Sequence, residues 1–376
     1  KMKSLPRKIK GTILLFVVLG SVLLSGCAFK DIDKSVFVAM IALDVSDDEE
    51  KPYKVTLKLY EPTGSFNEAT EPQYSYLSEN GETLSEAIRM LESYSDMELE
   101  FGHSKLIILG EELVKDNKNK EILDFLLRRP DIQMISWIAV GRPNAEEIIK
   151  MIPQGESAAY PELFNYFDSN GTTTPYIVTT HLFEFRRNMK ESGIDSVLPI
   201  IEINHEDQHF EVNKSLLLAI NKEPLELNSL DTSIYNMLSR SVKHANLLIK
   251  EDGDHFIANI DTVKSKFNVN IKNPSEIQLD INISLYGSIA ESHKPMINKD
   301  LPQYNEELKK ESEEKFKGFI TEMKKHGYDP LGFGIDYKAK VLHNRRMTDE
   351  EWMEAYKKAK VNLTVKPGIK STGSIQ

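Results

Sequence analysis

The stretch that decides the class of fold is "FGHSKLIILGEELVKDNKNKEILDFLLRRPDIQMISWIAVG", residues 101–141. Leu106 to Leu109 form a short apolar run that ends at a glycine, which is typical of a buried strand. A helix with one apolar face follows, and Pro130 helps to end it; the face consists of Ile122, Phe125 and Leu126. Ile132 to Val140 predict a second strand, and Asn144 is a suitable N-cap for the next helix. Strand, helix, strand and helix in this order predict an α/β layer.

The regions on either side continue this alternation. "KSVFVAMIALDV" and "KPYKVTLKLYEP" predict a hairpin, and "TLSEAIRMLESY" predicts a helix that begins with a capping box of Thr83 and Glu86. Residues 153–180 are rich in Pro, Ser, Thr and Gly, which indicates a long, partly ordered connection. Near the end, "PQYNEELKKESEEKFKGFITEMKKHG" predicts a long helix that stops at Gly327. A shorter helix, "TDEEWMEAYKKAK", and a strand, "VNLTV", follow it.

We therefore expect an α/β (α+β) fold with three mixed α/β domains after an N-terminal signal peptide. A chain of 376 residues is too long for one ordinary core. The predicted divisions are a signal peptide at 1–26, an N-terminal α/β domain at 27–193 with the connection near 153–180, a middle domain at 194–265, and a C-terminal domain at 266–376.

Charge and cysteine content exclude several classes of function. The chain carries a formal charge of −11, and loss of residues 1–26 with their five Lys and Arg side chains would leave −16. A body this acidic is repelled by nucleic acid and by anionic lipid, so no nucleic-acid partner is expected. The single cysteine, Cys27, excludes an intramolecular disulfide and a cysteine-cluster metal site.

The N-terminus has the pattern of an export signal. A positive segment, "KMKSLPRKIK", precedes an apolar run from Ile13 to Leu24, which is shorter than the roughly 20 residues that a spanning helix needs. Leu24, Ser25, Gly26 and Cys27 resemble the lipobox of bacterial lipoproteins. In that class the chain is cut before the cysteine, whose thiol receives diacylglycerol and whose new N-terminus is acylated. The alternative is a short hydrophobic helix with an incidental cysteine.

A search for catalytic or metal-binding residues finds little. Glycine-rich phosphate loops, Gly-x-Ser-x-Gly and His-Glu-x-x-His are absent from the sequence. His205, Asp207 and His209 have spacings that suit metal ligands on one strand face, but "NHEDQ" also reads as a polar turn between two strands. His103 is expected to be structural, and Trp137 and Trp352 are expected in the core. We therefore expect no catalytic residues, no metal and no cofactor.

Several motifs together resemble the Ger(x)C spore germination lipoproteins. Residues 101–141, "GIDSVLPII", and "HGYDPLGFG" at 326–334 are similar to signatures of that family, and the likeness covers residues 12–376. One departure is "AFKD" after Cys27, where the family commonly has Trp-Asp.

The resemblance implies a function and a location. Members are non-catalytic C subunits of nutrient germinant receptors, anchored by lipid on the outer face of the spore inner membrane beside integral-membrane A and B subunits. The "GRPNAEEI" and "DPLGFG" loops are candidate docking sites. Two alternatives stay open: a solute-binding lipoprotein of a membrane transporter, which should show two similar α/β lobes, and a cell-wall enzyme on a lipid tether.

Overall fold

The computed structural model describes residues 34–60, 74–116, 119–153, 161–168, 174–220, 222–239, 242, 244–251, 254–273, 276–293, 295 and 297–372. The lipobox residues Leu24 to Cys27 lie outside these ranges. The described strands form two sheets, and helices cover both faces of the larger one.

The larger sheet has nine strands within the described residues, in the order β3-β2-β1-β5-β6-β7-β8-β9, with β4 beside β1. Their bounds are β1 Ser35–Val45, β2 Tyr53–Tyr60, β3 Tyr74–Gly81, β4 Glu98–Glu100, β5 Leu106–Gly110, β6 Trp137–Arg142, β7 Ser196–Asn204, β8 His209–Leu218 and β9 Leu225–Leu227. The central strands β1, β5, β6 and β7 are parallel, and the outer pairs are antiparallel. This parallel centre is the α/β layer that residues 101–141 predict.

Seven helices accompany this sheet within the described residues. They are α1 Leu84–Glu92, α2 Glu111–Lys115, α3 Asn119–Arg128, α4 Ala145–Lys150, α5 Glu162–Phe167, α6 Leu182–Lys190 and α7 Ser229–Ser239. α1, α2, α3 and α6 pack on one face of the sheet, and α4 and α5 pack on the other. Because both faces are covered, β1 and β5 are almost entirely apolar and buried.

The second sheet has the order β10-β11-β12-β13. Its strands are β10 Ala245–Glu251, β11 Asp254–Asn273, β12 Glu276–Ser292 and β13 Lys360–Ile369, and its helices are α8 Leu301–His326, α9 Phe333–Lys340 and α10 Asp349–Lys358. Strands β12 and β13 are parallel, and the helices lie between them in the chain. Side chains of α8 cover the outer edge of β13: Glu313 accepts from the Val365 N–H at 3.0 Å and Asn305 accepts from the Ile369 N–H at 2.8 Å.

Most predicted elements are present, with three differences. Thr83 and Thr348 cap α1 and α10 as expected, and Gly327 has φ of 71° after α8. The strand predicted from Ile132 begins only at Trp137, because a turn occupies the preceding residues. Strand β3 was not predicted, and α5 lies inside the predicted connection at 153–180.

The three-domain division stays a prediction. The larger sheet continues from β6 to β7 across residue 193, and β11 runs through residue 265. One apolar core joins the β7–β9 end of the larger sheet to the second sheet, with Val197 and Leu217 packed in the same cluster as Leu279 and Phe316.

Candidate functional site

The histidines singled out in the sequence do not form a site. His205 and Asp207 lie in the exposed turn between β7 and β8, and His209 begins β8 beside Glu211 at 3.7 Å. Within the described ranges no group of three or more His, Cys, Asp or Glu side chains is placed to hold a metal ion. His103 is exposed, and its ring lies 4.5 Å from that of Phe37.

The "GRPNAEEI" loop lies at the carboxyl ends of the parallel strands. Its Arg142 is the centre of a charge cluster: the guanidinium donates to both carboxylate oxygens of Glu111 at 2.6 and 3.0 Å, and to Glu202 and Glu226 at 2.7 Å each. These hydrogen bonds, that to Glu111 first, hold the pKa of Arg142 above its ordinary value. Because the guanidinium fork bonds to three carboxylates, it ties β6, β7 and β9 to the start of α2, which follows β5, at this edge.

At the same edge of the sheet, Asp44 binds the start of α4. It ends the apolar run of β1, is 5% exposed, and accepts hydrogen bonds from the backbone N–H groups of Ala145 at 2.7 Å and Glu146 at 2.9 Å. The carboxylate of this β1 residue therefore caps the N-terminus of α4, although the two are far apart in the chain. Burial raises the pKa of Asp44 to about 6. A Cβ at Gly110 would lie 2.1 Å from the Asp44 carboxylate, so this position requires glycine.

The "DPLGFG" loop forms a second buried centre around Asp329. This side chain is 1% exposed and accepts from the N–H groups of Phe333 at 3.0 Å and Gly334 at 2.8 Å, at the start of α9. Burial raises its pKa to about 7. The residue before Asp329 is also held: the Tyr356 hydroxyl donates to the Tyr328 carbonyl at 3.0 Å.

The loop binds the turn that leads into β7, and we call this contact the Asp195–Asp329 junction. The Asp329 N–H donates to the Asp195 carboxylate at 2.6 Å, and the Ile335 N–H donates to the Gly193 carbonyl at 3.2 Å. A Cβ on Gly334 would approach the Gly193 Cα to 2.4 Å, so the two backbones touch. "GIDSV" and "DPLGFG", two separate signatures in the sequence, therefore meet in the fold.

Both centres are satisfied by the protein itself. Arg142 is paired with carboxylates of its own chain, and the carboxylates of Asp44 and Asp329 accept from backbone amides. The contacts of Arg142 and Asp44 hold the loops at the carboxyl edge of the larger sheet in position. The contacts of Asp329 fix the larger sheet against the second one. Sequence reasoning did not single out Asp44, Arg142, Asp195 or Asp329. The local signal for them was weak: each is a charged residue at the end of an apolar run or within two residues of a glycine.

Within the part of the chain that the structure describes, no helix is long and apolar enough to cross a bilayer.

Comparison with known proteins gives a consistent result over both halves of the chain. Residues 29–203 match the spore germination protein N-terminal domain, and residues 222–373 match the spore germination B3/GerAC-like C-terminal domain.

Two relatives from Bacillus subtilis (strain 168) support the match. Spore germination protein B3 is 27% identical over 141 residues, which span only about a third of either protein (37% of this chain and 36% of the relative). The putative spore germination protein YfkR is 22% identical over 362 residues, 91% of each chain.

A solved structure has the same fold. The crystal structure of the GerBC protein superposes with a TM-score of 0.57 and 13% identity, covering 88% of this chain and 96% of that one. With both domain families matched in order and the fold shared, the chain belongs to the Ger(x)C family of spore germination proteins.

Proposed function

We propose that this protein is the non-catalytic, lipid-anchored C subunit of a spore nutrient germinant receptor, needed for the germination response to nutrients. The observation that carries the proposal is the position of the lipobox. The family match begins at residue 29, two residues after the cysteine of Leu24-Ser25-Gly26-Cys27. The residues that resemble an export signal and a lipobox therefore lie next to the start of the matched spore germination domain.

The anchor explains how an acidic body stays at a membrane. Diacylglycerol on the Cys27 thiol and an acyl chain on its amino group supply about 0.8 kcal/mol per buried methylene, and two or more chains give stable anchoring. The location proposed is the outer face of the spore inner membrane. Anchoring there raises the effective concentration of the body for docking on the integral-membrane A and B subunits.

The fold favours a rigid docking body over a solute-binding lipoprotein. A solute-binding protein of a transporter is expected to show two similar α/β lobes. The two described sheets differ instead in strand number and connectivity, and a shared core and the Asp195–Asp329 junction join them. Such a body suits a subunit that presents fixed surfaces to partners.

The test is a spore that carries Cys27→Ala, compared with a spore that carries Ala28→Ser as the matched control. We expect the Cys27→Ala protein to be made but absent from the inner membrane, with loss of the nutrient response. Ala28→Ser should behave as wild type, and mass spectrometry of its N-terminal peptide should show diacylglycerol on Cys27. A normal nutrient response in Cys27→Ala spores would contradict the proposal.

A further inference from the structure

The amino ends of the parallel strands form one edge of the larger sheet, and two large apolar side chains are exposed there. Ile135, two residues before β6, is 66% exposed, and Phe183, in the first turn of α6, is 45% exposed. Side chains of this size, exposed on two neighbouring backbone segments, are candidates for an interaction surface.

These two residues are held in place by backbone hydrogen bonds. The first N–H groups of α6 donate to the carbonyls on either side of Ile135: Leu182 to Ser136 at 2.8 Å and Phe183 to Met134 at 3.0 Å. The Gln133 side chain donates to the Gly102 carbonyl at 2.6 Å and fixes the same turn to the next strand connection. The exposed pair is therefore part of a rigid edge.

Two arginines lie beside the apolar pair. Arg186 and Arg187 are exposed one helical turn after Phe183. On the neighbouring strand connection, the exposed His103 packs its ring against Phe37 at 4.5 Å. We call this set the amino-edge patch; it consists of Phe37, His103, Ile135, Phe183, Arg186 and Arg187.

The length of the tether brings this edge to the membrane. Strand β1 enters the fold at the same edge, and the chain from Cys27 to Val36 can span at most about 30 Å. If Cys27 carries lipid, as the proposed function holds, the start of β1 stays within that distance of the headgroups, and the β6 end of the amino-edge patch lies only two strands further along the same edge.

We propose that the amino-edge patch rests on the bilayer surface, with Ile135 and Phe183 in the headgroup region and Arg186 and Arg187 against lipid phosphates. Apolar and aromatic side chains flanked by Arg are the composition of interfacial membrane contacts. The lipid retains the protein, and the patch sets its orientation. Because the exported body is acidic overall, an anionic surface repels the remainder and favours the one orientation in which the basic edge faces the lipid.

The test measures the depth of single positions in the full-length lipidated protein. Because Cys27 is the only native cysteine and its thiol is occupied by lipid, Ile135→Cys provides one free thiol for an environment-sensitive fluorophore. Asp207→Cys is the matched control on the exposed turn at the opposite edge, since β7 is about 30 Å long. Each protein is reconstituted into phosphatidylethanolamine–phosphatidylglycerol vesicles that contain spin-labelled lipids as quenchers.

We expect the label at 135 to lose most of its fluorescence to the lipid quenchers and the label at 207 to lose none. Adding Phe183→Glu, Arg186→Glu and Arg187→Glu to the Ile135→Cys protein should abolish the quenching, with an unchanged melting temperature. Equal quenching at 135 and 207 in vesicle-bound protein would overturn the proposal. A different result would also overturn the proposal, in favour of a protein partner: the label at 135 is shielded from water only when spore membrane proteins are added, and the lipid quenchers do not reduce its fluorescence.

Flotation with the vesicles is recorded in the same samples and separates this proposal from the proposed function. Wild-type protein that does not float, or a Cys27→Ala protein that floats equally well, would contradict the lipid anchor. Protein that floats but shows no quenching at 135 would contradict only the orientation.

Discussion

Asp195 and Asp329 are joined by two hydrogen bonds of opposite direction: the Asp195 N–H donates to the Asp329 carbonyl at 3.0 Å, and the Asp329 N–H donates to the Asp195 carboxylate at 2.6 Å. The pair connects the turn before β7 of the larger sheet to the loop before α9. This contact keeps the two sheets in one arrangement.

Removing the Asp329 carboxylate should destabilise the protein strongly. In Asp329→Ala the buried N–H groups of Phe333 and Gly334 lose their acceptor, which costs roughly 2–4 kcal/mol of the free energy of unfolding. Asp261→Ala, at an exposed position on β11, should change it by less than about 0.5 kcal/mol. Denaturant unfolding measures both, and equal midpoints for the two variants would contradict the role given to Asp329.

The pH dependence of stability should report the same carboxyl. Burial raises the pKa of Asp329 from 3.8 to about 7, so between these values the folded state binds the proton more tightly than the unfolded chain. Its contribution is present in full below about pH 4 and is lost as the pH rises through 7. Wild-type stability should therefore fall as the pH rises through this window.

Asp329→Asn should flatten that fall, above all between pH 6 and 7, because the amide resembles the protonated acid and does not titrate. Asp44, whose pKa is raised to about 6, should leave a smaller fall below that pH. Asp261→Asn is the control and should keep the wild-type slope. A slope in Asp329→Asn identical to wild type would show that Asp329 does not titrate in this window.

A pair of Gly→Ala changes tests the close backbone approach at the junction. A Cβ on Gly334 would lie 2.4 Å from the Gly193 Cα and 2.6 Å from Nε1 of the buried Trp352, so Gly334→Ala should cost roughly 3 kcal/mol or more. Gly318→Ala is the matched control, since Gly318 lies inside α8 and an added Cβ would meet no atom within 4 Å beyond the backbone of its own helix and its chain neighbours. It should raise stability by about 0.5–1 kcal/mol. Thermal melts distinguish them, and a tolerated Gly334→Ala would refute the packing described.

The charge cluster around Arg142 should contribute more to the free energy of unfolding than an ordinary surface ion pair does. Arg142→Met removes the cation shared by Glu111, Glu202 and Glu226 and should cost roughly 1–2 kcal/mol, less at high salt. Lys115 and Lys214 still pair with Glu111 and Glu202, which limits the loss. Lys325→Met breaks an exposed pair with Glu322 and should leave the free energy of unfolding close to the wild-type value. If urea unfolding gave Arg142→Met and Lys325→Met the same free energy of unfolding, Arg142 would have no special role.

Local patterns predicted the elements of this fold well. Thr83 with Glu86 and Thr348 with Glu351 mark helix starts, Gly327 marks a helix end, and the apolar run before Gly110 marks a buried strand. Each of these signals lies within a few residues of the structure it specifies. The family resemblance found from the same stretches is confirmed by the matches over both halves.

Long-range contacts were beyond that reasoning. Asp44 caps a helix about a hundred residues later, and Asp195 meets Asp329 across more than a hundred, so no local spacing reports either contact. Strand β3 lacks the apolar alternation of a half-buried strand, and its sequence "YSYLSENG" therefore gave no strand prediction. Ile135 gave no signal of its own, because exposure depends on the turn that α6 binds.

The central claim, a lipid-anchored subunit of a germinant receptor, is tested most directly by affinity purification of the full-length protein from detergent-solubilised spore membranes. A tag at the C-terminus leaves the lipobox intact, and the Cys27→Ala protein is purified in parallel. We predict that two multi-spanning membrane proteins co-purify with the wild-type chain in comparable amounts and are lost with Cys27→Ala. Recovery of the wild-type chain without membrane partners, or together with the permease and ATPase of a transporter, would contradict the account.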